Sequence, residues 1–152
     1  MASRTWYSRK VGSTTPLITI DVYGWTDYEG GYEFHRVDDS NGDIGSGERD
    51  FTSYDADAWR LIFSDKLGGT EITGATCYGS LGEVAVNGTP TAGELRVTIP
   101  EAKTGALQTH LEAAGKSQFG ILYANLVGTE SGKVRPQFWA RVHLQFRTKA
   151  AS

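Results

Sequence analysis

Possible metal ligands are concentrated in an acidic loop in the first third of the chain. Asp39, Asn41 and Asp43 have the spacing of the first, third and fifth positions of an EF-hand loop, whose side-chain oxygens bind calcium. The sixth position of such a loop requires glycine and is Ile44 here, and the twelfth is Asp50 instead of glutamate. No helical pattern flanks the loop. We therefore interpret it as a solvated turn and expect no metal or other cofactor.

The three histidines are isolated from one another in the sequence. His35 and His143 would form a metal site if their strands met across a sheet, with Glu33 or Asp21 as a further ligand. A surface or interface position is the preferred interpretation for both of them, and also for His110.

Nucleophilic chemistry has no recognisable motif in this sequence. Cys77 is the single cysteine and has no CxxC partner, so we expect a buried small hydrophobic side chain and no intrachain disulfide. No G-x-S-x-G nucleophile elbow occurs. Gly45-Ser46-Gly47 lacks the strand, lysine and helix of a phosphate-binding loop. The sequence therefore predicts a protein that is not an enzyme.

The overall composition argues against two classes of partner. The chain has 15 lysines and arginines against 18 aspartates and glutamates, giving a formal charge of −3, whereas nucleic-acid binders usually carry a basic patch. No apolar stretch approaches the roughly 18 to 20 residues of a membrane span, and no signal-peptide pattern follows Met1. We expect a soluble protein, made in the cytoplasm, that binds neither nucleic acid nor membranes.

Glycine spacing and residue types predict an all-β chain. The 19 glycines punctuate segments rich in β-branched and aromatic residues, as expected where tight turns join strands. The segment after Pro100 instead has the pattern of one short helix, at about 101–114. A polar loop is predicted over 38–48, and a type I′ hairpin turn at Asn87-Gly88. The predicted strands are 5–11, 17–25, 32–37, 57–64, 70–78, 81–86, 94–99, 119–127 and 137–147.

Alternation within these strands predicts which side chains form the core, because successive residues of a strand point to opposite faces. Arg60, Arg96, Thr98, Gln137 and Arg141 are predicted to point outward. The predicted core is Trp59, Leu61, Phe63, Leu95, Val97, Ile99, Phe138, Val142 and Leu144, and the predicted apolar stripe of the helix is Ala102, Ala106, Leu107, Leu111 and Ala114. Two sheets with one hydrophobic face each should pack as a sandwich.

Five segments in the second half of the chain, from Ala56 to Leu144, occur in an order that resembles a known protein module. The segments that carry the resemblance are, in order, Asp57-Ala58-Trp59-Arg60-Leu61-Ile62-Phe63, Gly69-Thr70-Glu71-Ile72-Thr73-Gly74-Ala75, Gly93-Glu94-Leu95-Arg96-Val97-Thr98-Ile99-Pro100, Thr104-Gly105-Ala106-Leu107 and Gly120-Ile121-Leu122-Tyr123. The module is the N-terminal Ig-like domain of tailed-phage baseplate upper proteins and related tail-fibre adaptors. The fold prediction is therefore an Ig-like antiparallel β-sandwich over 51–149, preceded by an N-terminal β arm or assembly segment over 1–50.

What the resemblance implies is attachment and assembly. The leading hypothesis is a structural component of a tailed-phage virion, assembled in the host cytoplasm, that joins tail, baseplate or fibre proteins through protein–protein contacts. One alternative is a capsid decoration, or cement, protein that stabilises the phage head. A second alternative is a carbohydrate-binding module, since β-sandwiches often host such sites on exposed aromatic residues, and Trp139 is the residue that a glycan would contact.

Aromatic residues are unusually dense in the N-terminal third. Because tyrosine and tryptophan are enriched at interface cores, some of these rings are candidates for contacts between subunits, and the alternative is that they cover one face of the sandwich. The interface candidates are Trp6, Tyr7, Trp25, Tyr28, Tyr32 and Trp139. We expect a homo-oligomer, most simply a trimer or another closed ring, and a fragment 51–152 that folds alone but stays monomeric.

Overall fold

The computed structural model describes residues 8–11, 17–37, 44–48 and 50–149. These residues form ten strands and one α-helix. The strands are β1 (Ser8–Val11), β2 (Leu17–Tyr23), β3 (Tyr28–Val37), β4 (Ile44–Glu48), β5 (Arg60–Ser64), β6 (Cys77–Tyr78), β7 (Val84–Val86), β8 (Glu94–Ile99), β9 (Phe119–Glu130) and β10 (Lys133–Gln145), and the helix is α1 (Glu101–Ala113). The predicted all-β, sandwich-like fold with one short helix is thereby confirmed.

The strands divide into two five-stranded sheets. The first sheet has the order β1-β3-β8-β7, with β4 also paired to β3, and the second has the order β2-β10-β9-β5-β6. Most neighbours are antiparallel, as predicted, but β1 joins β3 and β2 joins β10 in parallel. Parallel neighbours require a long connection, and β2 and β10 lie near opposite ends of the described chain. The Ig-like subtype of this sandwich remains a prediction.

The core lies between the two sheets and follows the predicted alternation. All nine predicted core residues are buried in one cluster, while none of Arg60, Arg96, Thr98 and Arg141 is buried. Gln137 departs from the pattern: it is fully buried beside Phe138. The pairing of β10 with β9 shifts register between Pro136 and Phe138, and such a bulge turns two successive side chains to the same side.

The N-terminal strands contribute to this same core, while the division of the chain at residue 50 remains a prediction. β3 pairs with β8 from Tyr28 to Glu33, and β2 pairs with β10 along its whole length. The ring of Phe34 meets the ring of Phe51 edge to face, with 5.7 Å between the centroids. Residues 17–37 thus supply strands to both sheets.

Helix α1 begins after Pro100 and packs through a stripe that is more polar than predicted. Its buried residues are Thr104, Gly105, Leu107, Gln108 and Leu111, whereas the predicted stripe members Ala102 and Ala114 are exposed. Burial of Gln108 is possible because its amide bonds to both the N–H and the C=O of Arg147, each at 2.9 Å. Side-chain hydrogen bonding therefore selects the buried face here together with hydrophobicity.

Three predicted segments differ locally. The predicted polar loop contains β4, and the predicted strand 70–78 is mostly a turn, with a 3-10 segment at Thr73–Ala75 before the short β6. Within it the Thr76 hydroxyl donates to the Glu71 carboxylate, so local side-chain bonding competes with strand pairing. The predicted strand 81–86 begins only at Val84, because a 3-10 turn at Gly79–Leu81 precedes it.

The structure contains a turn of type I′ geometry, but not at Asn87-Gly88, where the sequence predicted it. Only Gly88 of the Asn87-Gly88 pair has a positive φ, and a 3-10 turn at Pro90–Ala92 lengthens this connection between β7 and β8. Ser131 and Gly132 both have positive φ, at 50° and 81°, and they join the paired residues Glu130 and Lys133. This two-residue connection of β9 to β10 has the geometry of a type I′ turn.

Candidate functional site

The second sheet presents a face of mixed aromatic and polar character on the side away from the core. Successive residues of β2, β9 and β10 alternate between core and surface, and the pairing registers set their outward side chains in transverse rows. We call this surface the outer face. From one end to the other its rows are Trp139 with Asn125, Arg141 with Thr19 and Tyr123, His143 with Asp21 and Ile121, and Gln145 with Tyr23 and Phe119.

A cleft of about 410 Å³ lies at the Gln145 end of the outer face. Tyr23 and Phe119 are two of the most exposed large hydrophobic side chains among the described residues, with 42% and 62% of their surface accessible. The residues that give the cleft its chemistry are Asp21, Tyr23, Gln118, Phe119, His143 and Gln145. It therefore combines two aromatic rings with amide, imidazole and carboxylate groups.

Two contacts position the side chains at this end. The guanidinium carbon of Arg147 lies 4.5 Å from the centroid of the Tyr23 ring, a cation–π distance that helps to fix the ring. His143 Nδ1 lies 4.0 Å from Asp21 Oδ1 across β10 and β2. Both partners are well exposed, so this pair contributes little to stability and stays accessible to a ligand.

The four predicted interface residues that the structure describes do not lie in one place. Trp6 and Tyr7 lie outside the described residues. Tyr28 and Tyr32 are buried in the core, their hydroxyl oxygens are 2.8 Å apart, and the Tyr32 ring lies 4.7 Å from that of Phe138. For these two tyrosines the structure favours the alternative in which the rings pack inside their own chain, because both point inward from β3.

The two predicted tryptophans on the described surface are partly covered. Trp25 lies so close to α1 that a Cβ at Gly105 would be 2.3 Å from its ring, so only glycine fits there, and Lys149 Nζ is 4.6 Å from its ring centroid. Trp139 points outward, as predicted, and is half-buried on the outer face.

The histidines that were candidates for metal binding are separated from one another. His35 and His143 lie on strands of different sheets, so they do not meet across a sheet, and His110 Nε2 instead lies 2.8 Å from Asp65. Asp39, Asn41 and Asp43 lie outside the described part of the chain. Among the described residues no group of three or more His, Cys, Asp or Glu side chains is arranged to hold a metal. Within the same residues, no helix has the length and apolar character needed to cross a membrane.

Cys77 is buried, as predicted. The pKa of its thiol is raised to about 12, mainly by burial and in part by the nearby Glu83 carboxylate, against a smaller opposite effect of Lys103. A thiol with so high a pKa is protonated at neutral pH and is a poor nucleophile.

Sequence reasoning missed the cleft because it depends on which strands are neighbours. Tyr23 was visible as one of many N-terminal aromatic residues, and Phe119 as the first residue of an apolar strand. The alternation of 137–147 does place Gln145 on the outside. Nothing in the sequence shows that β2 and β9 flank β10, which is what brings these three residues into one row.

Comparison with known proteins finds distant similarity among solved structures. No protein-family model matches the chain, and no curated protein matches it. Among solved structures, the N-terminal domain of phage TP901-1 ORF48 is similar with a TM-score of 0.39 and 13% sequence identity, over 96% of this chain and 100% of that domain.

Proposed function

We propose that this protein is a non-enzymatic structural component of a tailed-phage virion, which joins tail, baseplate or fibre proteins through protein–protein contacts. The observation that carries the proposal is the order of elements in the segment that resembles the phage module. The strand led by Trp59, the strand β8 that runs through Pro100 into α1, and the final β9–β10 hairpin occur in the expected order within one sandwich. One part departs from it, because the Thr73-Gly74-Ala75 segment is a 3-10 turn.

The outer face supports the part of the proposal that concerns protein contacts. Half-buried Trp139, Tyr123 and Ile121 alternate there with Arg141 and with amide groups. Tryptophan, tyrosine and arginine are enriched at interface cores. The same surface, together with Trp25, is the basis for proposing a homo-oligomer, since Tyr28 and Tyr32 are occupied within the chain.

Localisation in purified particles tests this function. Antibody against the protein, with gold labelling in electron microscopy, should mark the tail or its tip, and the copy number should match that of other tail components. Label over the head, at a copy number close to that of the major capsid protein, would favour a capsid decoration protein. Absence from washed particles would contradict both.

A substitution then tests whether the outer face takes part in assembly of the particle. Trp139→Ala should lower incorporation into particles, because it removes the largest ring of the outer face. Leu81→Ala is the matched control, since Leu81 is 66% exposed and lies outside this face. Equal incorporation of both variants, with unchanged melting temperatures, would argue against contact through the outer face.

A further inference from the structure

We propose that the cleft at the Gln145 end of the outer face binds a neutral oligosaccharide. The proposed structural function does not require such a site, so the two proposals stand or fall separately. The inference depends on how two exposed aromatic rings, a set of planar polar groups and a second cleft are arranged at this end of β10.

The aromatic rings provide surfaces for stacking. Tyr23 and Phe119 occupy the positions on either side of Gln145, on the two strands that flank β10. Because neighbouring strands are about 4.8 Å apart, their Cα atoms are separated by roughly 10 Å. The C–H faces of pyranose rings pack well on aromatic rings, and two rings at this separation suit a chain of sugars better than a single one. The Arg147 guanidinium on Tyr23 holds one of the two surfaces in place.

The polar groups of the cleft match a ligand made of hydroxyl groups. Amide side chains of Gln118 and Gln145 offer both donors and acceptors, and His143 and Asp21 add an imidazole and a carboxylate. A sugar hydroxyl is itself both donor and acceptor, so it can satisfy each of these groups. The Asp21 carboxylate and the Arg147 guanidinium on Tyr23 carry opposite charges, so this end of the face has no net charge that would favour an ionic ligand, which is the reason for choosing a neutral one.

The shape of the surface favours an extended ligand. Beyond Phe119 a second cleft of about 400 Å³ is lined by residues 115–121, so Phe119 lies between two concavities. Trp139 is six residues from Gln145 along β10, or roughly 20 Å in an extended strand. The sugar site is therefore distinct from the surface around Trp139, where the sequence placed a glycan contact.

Titration of the full chain with defined oligosaccharides tests the proposal. Cellotetraose, chitotetraose and maltotetraose are the neutral probes, and trigalacturonic acid is the anionic one, with binding followed by calorimetry and by saturation-transfer NMR. At least one neutral tetrasaccharide should bind, and its protons should receive saturation from aromatic side chains. Phe119→Ala and Gln145→Ala should each weaken that binding about two- to tenfold. Both positions are exposed, so neither variant should impair folding.

Two controls make the result specific. Leu81→Ala removes an equally exposed apolar side chain outside the cleft, and Trp139→Ala removes the large ring at the opposite end of the same face; both should leave sugar affinity unchanged. The proposal is overturned if none of the neutral tetrasaccharides binds, if only trigalacturonic acid binds, or if binding is lost in Trp139→Ala while surviving Phe119→Ala. None of these outcomes changes the expected location of the protein in the particle.

Discussion

Residues 17–37 and residues 51–149 contribute to the same core in different ways. In the second region most paired strands are close in sequence, as in the β9–β10 hairpin and the β7–β8 pair. In the first region each strand has a partner that is distant in the sequence: β2 lies beside β10, and β3 lies beside β8. Local pairing can be inferred from alternation and turn residues, whereas distant pairing leaves no comparable trace in the sequence.

The first region also supplies an interior strand, β3, to the first sheet. β3 has β1 along one edge, and β8 followed by β4 along the other. Its inward side chains Tyr28, Tyr32 and Phe34 are buried in the common core. Without this strand, the inner surface of the first sheet would consist of β8 and the short β7 alone.

Deletion of residues 1–50 is expected to have the largest effect. The fragment 51–152 should fail to fold, in contrast to what the sequence alone led us to expect, because β8 and β10 lose their neighbours and the core loses Ile20, Val22 and the rings of β3. Far-ultraviolet circular dichroism during heating and the dispersion of amide signals in NMR measure this. A sharp unfolding transition near that of the full chain would mean that the first region is an arm after all.

A pair of ring truncations compares the two regions within the intact chain. Phe34 and Phe63 are both buried, the first in β3 and the second in β5. Each change to alanine should lower the free energy of unfolding by about 3 to 5 kcal/mol, through lost burial and the cavity left behind. Chemical denaturation of Phe34→Ala and Phe63→Ala provides the measurement. A loss below about 1 kcal/mol for Phe34→Ala alone would contradict the shared core.

Strands and helices whose apolar residues recur at regular intervals were predictable from the sequence. For the strand at 94–99, the predicted bounds and the predicted buried face are those that the structure has. The helix ends one residue earlier than predicted. Departures occur where side-chain bonding decides the local structure. Gln108 is buried because it bonds to Arg147, and Gln137, whose amide donates to the carbonyl of Arg135, follows a register shift. A hydrophobic period contains no information on either bond.

The candidate site was less predictable than the fold. Outward orientation of Gln145 and His143 follows from alternation along β10. The cleft also needs Tyr23 from β2 and Phe119 from β9, which are distant in sequence and become neighbours only through sheet pairing. The sequence singled out Trp139 because a tryptophan at an outward strand position is rare. It did not distinguish Tyr23 and Phe119, the more exposed rings at the other end of the outer face, from the many other aromatic residues.

The smallest expected effect concerns two adjacent residues of β8, and it tests whether this strand has one buried face. Val97 is buried against the core while Thr98 points to the other side of the first sheet and is half-exposed. Val97→Ala should lower the free energy of unfolding by about 2 to 3 kcal/mol, because it opens a cavity that the surrounding rings cannot fill without moving. Thr98→Ala should change it by no more than about 0.5 kcal/mol. Both variants retain the backbone hydrogen bonds of the strand, so a difference in urea midpoint isolates the side chains. Equal losses would mean that both faces of β8 are covered, and the outer surface of the first sheet, rather than that of the second, would then be the place to look for a partner.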